Sequence, residues 1–247
     1  MSDAMAEDQW LTGAVSVEAA LRGGVRDVRA VYVDRARYDQ AAARVERLAA
    51  GQGVPLERAP GETLDSHAAG QAHGGIIALV GPRRMAQLDE LLGAPQAVNV
   101  LLDGVEDPFN FGQAVRSLYA AGIDGLIVRP RNWLSAAATV SRASAGATEF
   151  MPTAAAETAD ALAAARARAI PIVIAAEDGQ PMYEVDLAGP LLLLVGGEKR
   201  GVARALRQSA DALVSIPYGR DVDYALGTAG AAAVLAFEVL RQRRARG

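Results

Sequence analysis

The chain has no cysteine and only two histidines, His67 and His73, among its 247 residues. A disulfide framework and thiolate metal sites are therefore excluded, and a histidine-rich metal centre lacks its ligands, so no metal is expected. No apolar run approaches the roughly twenty residues that a membrane-spanning helix needs. The stretch Met1 to Gln9 is acidic and polar, unlike a signal peptide. A cytoplasmic protein with no membrane partner is the expectation. Lysine occurs once, at Lys199, and the other basic residues are arginine. Arginine forks onto phosphate oxygens and stacks on bases, but a genome-wide arginine preference gives the same bias, and a net charge of −4 does not advertise nucleic-acid binding. Neither Gly-x-Gly-x-x-Gly nor a glycine loop closing on Lys-Ser/Thr occurs, so the dinucleotide and triphosphate fingerprints both fail.

What is present is organised around Leu191 to Phe237. An apolar run, Leu191 to Val195, stops at Gly196-Gly197-Glu198-Lys199-Arg200-Gly201. A second, Ala212 to Ile216, stops at Pro217. Short apolar runs bounded by glycine and proline read as strands buried on both faces, which implies a parallel sheet covered by helices. Ligands of such sheets sit beyond the carboxyl ends of the strands. The candidate site belongs there.

From the start, Leu11 to Leu21 has helical spacing, Val28 to Val33 alternates as a strand, and Asp39 to Ala50 reads as a helix. Val54 to Glu57 is a short strand, Glu62 to Ala69 a polar helix and Gly75 to Val80 a buried strand. This α/β block, residues 1–84, can stand as a small domain, with a linker over 85–96. The second block, residues 97–247, opens with the strand Val98 to Leu102 and a helix whose N-cap is read as Asn110. Gly125 to Val128 and Ile170 to Ala175 are further strands, Ser135 to Ala143 is a weak helix and Glu157 to Ala169 a strong one. Strands alternating with helices argue for a mostly parallel sheet. The final helix, read over Asp223 to Arg241, is apolar nearly all round and carries Gly227 and Gly230, each costing about 1 kcal/mol against alanine.

Polar loops follow three strands: Asp103 to Asn110, Ala176 to Gly179 and Gly196 to Gly201. Arg116 lies six residues after Asn110, on the opposite side of that helix at about 100° per residue, unless Asn110 sits on the loop and points back. It reads either as a solvated helix face or as part of a site. Glu198 reads either as a first-turn acid of the helix at Ala203 or as a site carboxylate.

Three motifs in order give this sequence a resemblance to a known family. Leu102 to Gly112 with Arg116 is similar to an Asn-x-Gly-x-x-x-Arg motif, and the small-residue segment Ser144 to Ala147 follows it. Val195 to Gly201 is the second motif, and the third starts at Ile216-Pro217. The sequence resembles the SpoU/TrmH class of S-adenosylmethionine-dependent RNA 2′-O-ribose methyltransferases of the SPOUT superfamily. Its amino-terminal block is similar to the ribosomal-protein-like RNA-binding domain often fused there. The resemblance implies a carboxyl-terminal domain folded as a trefoil knot, with the last helix threaded through a loop near Gly196, an exception among folds. It implies S-adenosylmethionine held mainly by backbone near Ala175, Gly196, Gly197, Ile216 and Leu226, and Asn110, Arg116 and Glu198 as the catalytic cluster. The implied partners are tRNA or rRNA and a second copy of the chain in a homodimer. The family's third motif usually reads Ser-Leu-Asn-Val-Ser, where this chain has Ala225-Leu226-Gly227-Thr228-Ala229. That departure makes a non-catalytic RNA-binding member, still holding the cofactor, the alternative expectation.

Overall fold

The alternating and helical periods of the sequence recur as elements, and their order separates the chain into two units. The computed structural model describes residues 8–70, 72–130, 136–197 and 202–247. One unit comprises the residues up to 84 together with 136–150; the other comprises 85–130 and 151–247.

The first unit runs β1 (Gln9–Thr12), α1 (Ala14–Gly23), β2 (Val28–Asp34), α2 (Gln40–Gly51), β3 (Leu56–Ala59), α3 (Gly61–Ala68) and β4 (Ile76–Val80). Its sheet has the order β1-β4-β2-β3. β4 is antiparallel to β1 and to β2, whereas β2 and β3 are parallel. Alternation along β2 sends Val31 and Val33 into a core with Leu11, Ala78, Val17 of α1 and Val45 of α2. The opposite face packs Ile77 with Leu64 of α3. Helix α2 starts where its sequence says: the Asp39 carboxylate accepts from the Ala42 N–H at 2.8 Å. Leu11 is not helical, contrary to the spacing argument, because β1 takes it into the sheet opposite Ala78.

The second unit opens with α4 (Leu88–Gly93), inside the stretch read as a linker. Leu91 and Leu92 of α4 bury themselves in this unit's core. Next come β5 (Val98–Asp103), α5 (Pro108–Ala120) and β6 (Gly125–Val128). The chain then returns to the first unit as α6 (Ala137–Ala143) and a 3-10 turn (Ala147–Glu149). It comes back as β7 (Thr153–Ala155), α7 (Thr158–Ala167), β8 (Ile172–Pro181), β9 (Leu191–Gly196), α8 (Arg204–Arg207), β10 (Ala212–Ser215) and α9 (Thr228–Arg246). All five pairings of the six strands are parallel, in the order β10-β8-β9-β5-β6-β7. The run Leu191 to Val195 has no polar alternation because β9 is central and every one of these side chains is buried. Burying a leucine contributes roughly 1.5–3 kcal/mol, and an edge position would forfeit part of that. Among the described residues no helix is long and apolar enough to cross a membrane, and no cluster of acidic or histidine side chains suits a metal.

Helix α9 packs on α5 and β9. It begins five residues later than the sequence reading placed it, so Gly227 is its N-cap and only Gly230 lies in its interior. An added Cβ at Gly230 would meet only Leu226, at 3.8 Å. That is ordinary contact, so close packing does not explain this glycine. The helix is anchored by polar side chains. Gln242 Nε2 donates to the carbonyl of Val185 at 3.0 Å and to Glu238 Oε1 at 2.8 Å, and its Oε1 accepts from the Leu187 N–H. Arg241 grips the buried Glu238 carboxylate with two hydrogen bonds, at 2.7 and 2.8 Å. Those Arg241 hydrogen bonds hold the Glu238 carboxyl below its ordinary value, against burial and with help from Gln242. A depressed carboxylate stabilises the fold above its unfolded pKa and ceases to do so as the pH falls through the folded one. Glu238→Gln therefore lowers the melting temperature at pH 7, and the gap to wild type closes below about pH 4. A gap that is constant from pH 7 to pH 3 would show that the charge on Glu238 contributes nothing.

Candidate active site

The sheet order places the site before any side chain is considered. From β5 the chain goes to β6 and β7 on one side, whereas from the adjacent β9 it goes to β10 on the other. Connections that depart in opposite directions leave a crevice beyond the carboxyl ends of the two strands. The crevice here lies after Asp103 and Gly196, which stand opposite one another as the last β5–β9 pair. The two loops leave in van der Waals contact. An added Cβ at Gly197 would overlap the Gly104 carbonyl oxygen and approach its carbon at 2.7 Å. Only glycine lets these backbones close so tightly.

Helix α5 carries two of the expected catalytic residues. Its N-cap is Asp107, not Asn110: the Asp107 carboxylate accepts from the Asn110 N–H at 2.7 Å, and Pro108 occupies the first turn. Asn110 is thereby placed inside the first turn, half-buried. Phe111, Ala114, Val115 and Leu118 form the buried face, and Arg116 is exposed on the same helix. Glu198, the third expected member, lies outside the described residues, as do Lys199 and Arg200.

The residues expected to hold a cofactor come from adjacent strand ends. Ile174 pairs with Leu194 of β9 and with Leu213 of β10, so Ala175, Gly196 and Ile216 leave three neighbouring strands at one edge of the sheet. β8 continues past Ala175, where the sequence reads as a loop. Its register with β10 jumps from Ile174–Leu213 to Gln180–Val214, so Ala175 to Gly179 bulge out of the pairing. Arg207 of α8 pairs with Asp178 in that bulge. This pairing holds the Asp178 carboxyl below its ordinary value, against its desolvation. Leu226, exposed, is brought back toward Ile216 by Tyr218, whose hydroxyl accepts from the Leu226 N–H at 2.8 Å. Thr228, the sole hydroxyl left in the third motif, donates to the Gly196 carbonyl at 2.9 Å. The sequence reading did not find these two links. A tyrosine directly after Ile216-Pro217 and a threonine between small residues were the available signals.

Ala175, Gly196 and Gly197 contribute almost no side-chain bulk, and Ile216 and Leu226 are apolar. A slot so lined offers backbone donors and acceptors with apolar flanks. That chemistry fits an adenosyl group.

Comparison with known proteins agrees with this geometry. Residues 97–237 match the model of the SpoU rRNA Methylase family. Residues 10–86 match that of the RNA 2′-O ribose methyltransferase substrate binding family. The 23S rRNA (guanosine-2′-O-)-methyltransferase RlmB of Pseudomonas aeruginosa is 34% identical over 244 residues, covering 95% of this chain and 98% of that protein. Its counterpart in Shewanella oneidensis is 32% identical, covering 97% and 100%. A crystal structure of an RNA 2′-O ribose methyltransferase superposes with a TM-score of 0.81 at 25% identity, over 96% of this chain and 89% of that one. AviRb from Streptomyces viridochromogenes, in complex with AdoMet, shares the fold with a TM-score of 0.79 at 24% identity, over 96% and 91%. Matched in sequence over almost its whole length and in the order of its motifs, the chain belongs to the SpoU rRNA methylase family.

Proposed function

We propose that the chain methylates the 2′-hydroxyl of a guanosine in 23S rRNA, with S-adenosylmethionine as methyl donor and in the cytoplasm. The observation that carries this reading is the crevice between β5 and β9. There two glycines, Gly104 and Gly197, meet in a close backbone approach, and α5 with Asn110 in its first turn follows β5. The RlmB relatives support the choice of substrate.

S-adenosylmethionine, when bound, supplies a methyl group already activated on a sulfonium. Ala175, Gly196, Gly197, Ile216 and Leu226 would hold it by backbone contacts. The chain's own task is to align the ribose hydroxyl with that methyl and to stabilise the oxygen as its proton leaves. Alignment alone can supply on the order of 7 kcal/mol. A guanidinium does not serve as a base; Arg116 clamps phosphate and stabilises the developing alkoxide. Asn110 positions the ribose, and Glu198 orients Arg116. Threading of α9 through the loop at Gly196 is part of this reading, supported by the Thr228 bond to that residue.

Mapping of methylated riboses in ribosomal RNA, with and without the protein, tests the proposal. One guanosine of 23S rRNA gains a methyl group in its presence. Methylation of a tRNA ribose instead would overturn the substrate. No transfer to any RNA, with S-adenosylmethionine still bound in calorimetry, would favour the non-catalytic reading.

The functional form is a homodimer. Phe109 on α5 and Phe237 on α9 are 54% and 48% exposed on two helices that pack together, and Tyr119 of α5 is exposed as well. Large side chains left in water on paired helices mark an interaction surface, and a second copy is the occupant proposed. Light scattering gives twice the chain mass of 25.7 kDa. A single-chain mass that persists at micromolar concentrations would contradict the dimer.

A further inference from the structure

The start of α9 is built from residues that hold nothing in place by themselves. Gly227 is the N-cap and offers no side-chain hydrogen bond to the first turn, Ala229 is small, and Gly230 lacks a side chain. A glycine-flanked turn has wide conformational freedom, yet this turn follows directly on Leu226. It is Thr228 that ties it down. Its side chain is buried, with 3% of the residue exposed, and its hydroxyl donates to the Gly196 carbonyl. That acceptor stands beyond the last β8–β9 pair, Ile174–Leu194, where β8 has already left for its bulge. The strand ladder on that side no longer fixes Gly196. One hydroxyl thus joins two backbones across the side that β8 has left: the exit of β9, which only the Asp103 pair of β5 still holds in the sheet, and the entry of α9.

We infer that Thr228 is a positioning residue for the methyl donor. It fixes the Gly196 carbonyl and the Leu226–Gly227 backbone relative to one another, so that the slot between them is formed before anything binds. The inference rests on the reading that Gly196 and Leu226 hold S-adenosylmethionine. Tyr218 provides a second tie at Leu226. Both partners of that bond are exposed, so water competes for it and its removal has the smaller effect. The threonine bond starts from a buried hydroxyl and ends on a half-buried carbonyl, so water competes for it less, and a slot that must be assembled on binding costs affinity.

Thr228→Val keeps the β-branched shape and removes the hydroxyl. Calorimetric titration with S-adenosylmethionine, and separately with its demethylated product, shows an affinity about five- to tenfold weaker for the variant. Thr228→Ser restores it, and Tyr218→Phe changes it by less than about threefold. In steady-state transfer, KM for the methyl donor rises while kcat at saturation and KM for RNA stay near wild type. A merely structural role for Thr228 would lower the melting temperature and leave the KM split absent. Equal donor affinity in wild type and Thr228→Val would overturn the inference. If wild type itself failed to bind S-adenosylmethionine, the proposed function would fall first, and the two failures are told apart by that control.

Discussion

Replacing Arg116 by alanine or by lysine slows single-turnover methyl transfer by an amount equivalent to about 2–4 kcal/mol, as removal of one oxyanion donor does elsewhere. Affinity for S-adenosylmethionine stays near wild type. The proposed roles separate the two effects: Arg116 is exposed on α5, after β5, whereas the residues proposed to hold the donor lie at or beyond the ends of β8, β9 and β10. Lysine is the informative substitution. It keeps the charge and loses the planar fork, so it cannot rescue a bidentate phosphate contact. Single-turnover measurement with saturating RNA isolates chemistry from binding. Full rate in Arg116→Lys would show that a point charge suffices and would sink the clamp. Loss of donor binding in both variants would mean that the slot has been assigned to the wrong loops.

The strands around the crevice were legible because burial on both faces writes itself as an unbroken apolar run. β5, β6, β9 and β10 were found in this way, at nearly their observed limits. β7 was not: Thr153-Ala154-Ala155 is three residues at the rim of the sheet, too short for any period. The bulge in β8 was read as a loop because Ala-Glu-Asp-Gly is loop composition. What keeps it extended is the neighbouring β10, which resumes pairing at Gln180. The N-cap of α5 was misplaced because Asp103 to Asn110 offers several capping side chains. Pro108 settles the matter, since proline is tolerated in the first turn and the cap must precede it.

The site was legible in part. The glycine pair ending a buried strand carried its own signal for the close approach of the two loops, whereas the capping signal at Asn110 belongs to Asp107. The ties that shape the slot were not visible, since Thr228 and Gly196 are 32 residues apart and meet only through the fold. The return of residues 136–150 to the first unit was equally silent. Helical spacing shows that α6 has an apolar side; it does not show that this side packs on β1 and α1. For the same reason residues 97–247, continuous in sequence, are not a single packing unit.

That return is held by a buried charge cluster, whose disruption gives the second large effect. Glu149 is 1% exposed, and its Oε2 accepts from Arg26 Nε at 3.1 Å. Arg26 also donates to the Gly81 carbonyl and to Gln9 at 3.3 Å, and the Thr148 hydroxyl donates to Glu149 Oε1 at 3.4 Å. Arg83 lies in the same field. Burial pushes its guanidinium down to about 10, against the pull of Glu149 and with the repulsion of Arg26. Glu149 is thus the carboxylate that pairs with Arg26 and attracts Arg83 in this buried field. The packing around it leaves no room to adjust, since an added Cβ at Gly23 would overlap the Glu149 carbonyl oxygen. Glu149→Gln keeps the shape and removes the charge, taking from Arg26 its ion pair and from Arg83 the attraction of the carboxylate. Breaking one side of a buried pair in this way costs about 3–5 kcal/mol, whereas replacing the whole pair by apolar groups is often near neutral. Urea unfolding followed by tryptophan fluorescence, with Trp10 in the first unit's sheet as reporter, gives a midpoint well below wild type for Glu149→Gln. The double variant Arg26→Met, Glu149→Leu recovers part of the loss. A midpoint for Glu149→Gln within about 1 kcal/mol of wild type would mean that Gln9, Thr148 and the Gly81 carbonyl suffice to hold the arginines. The carboxylate would then not be what keeps residues 136–150 in the first unit.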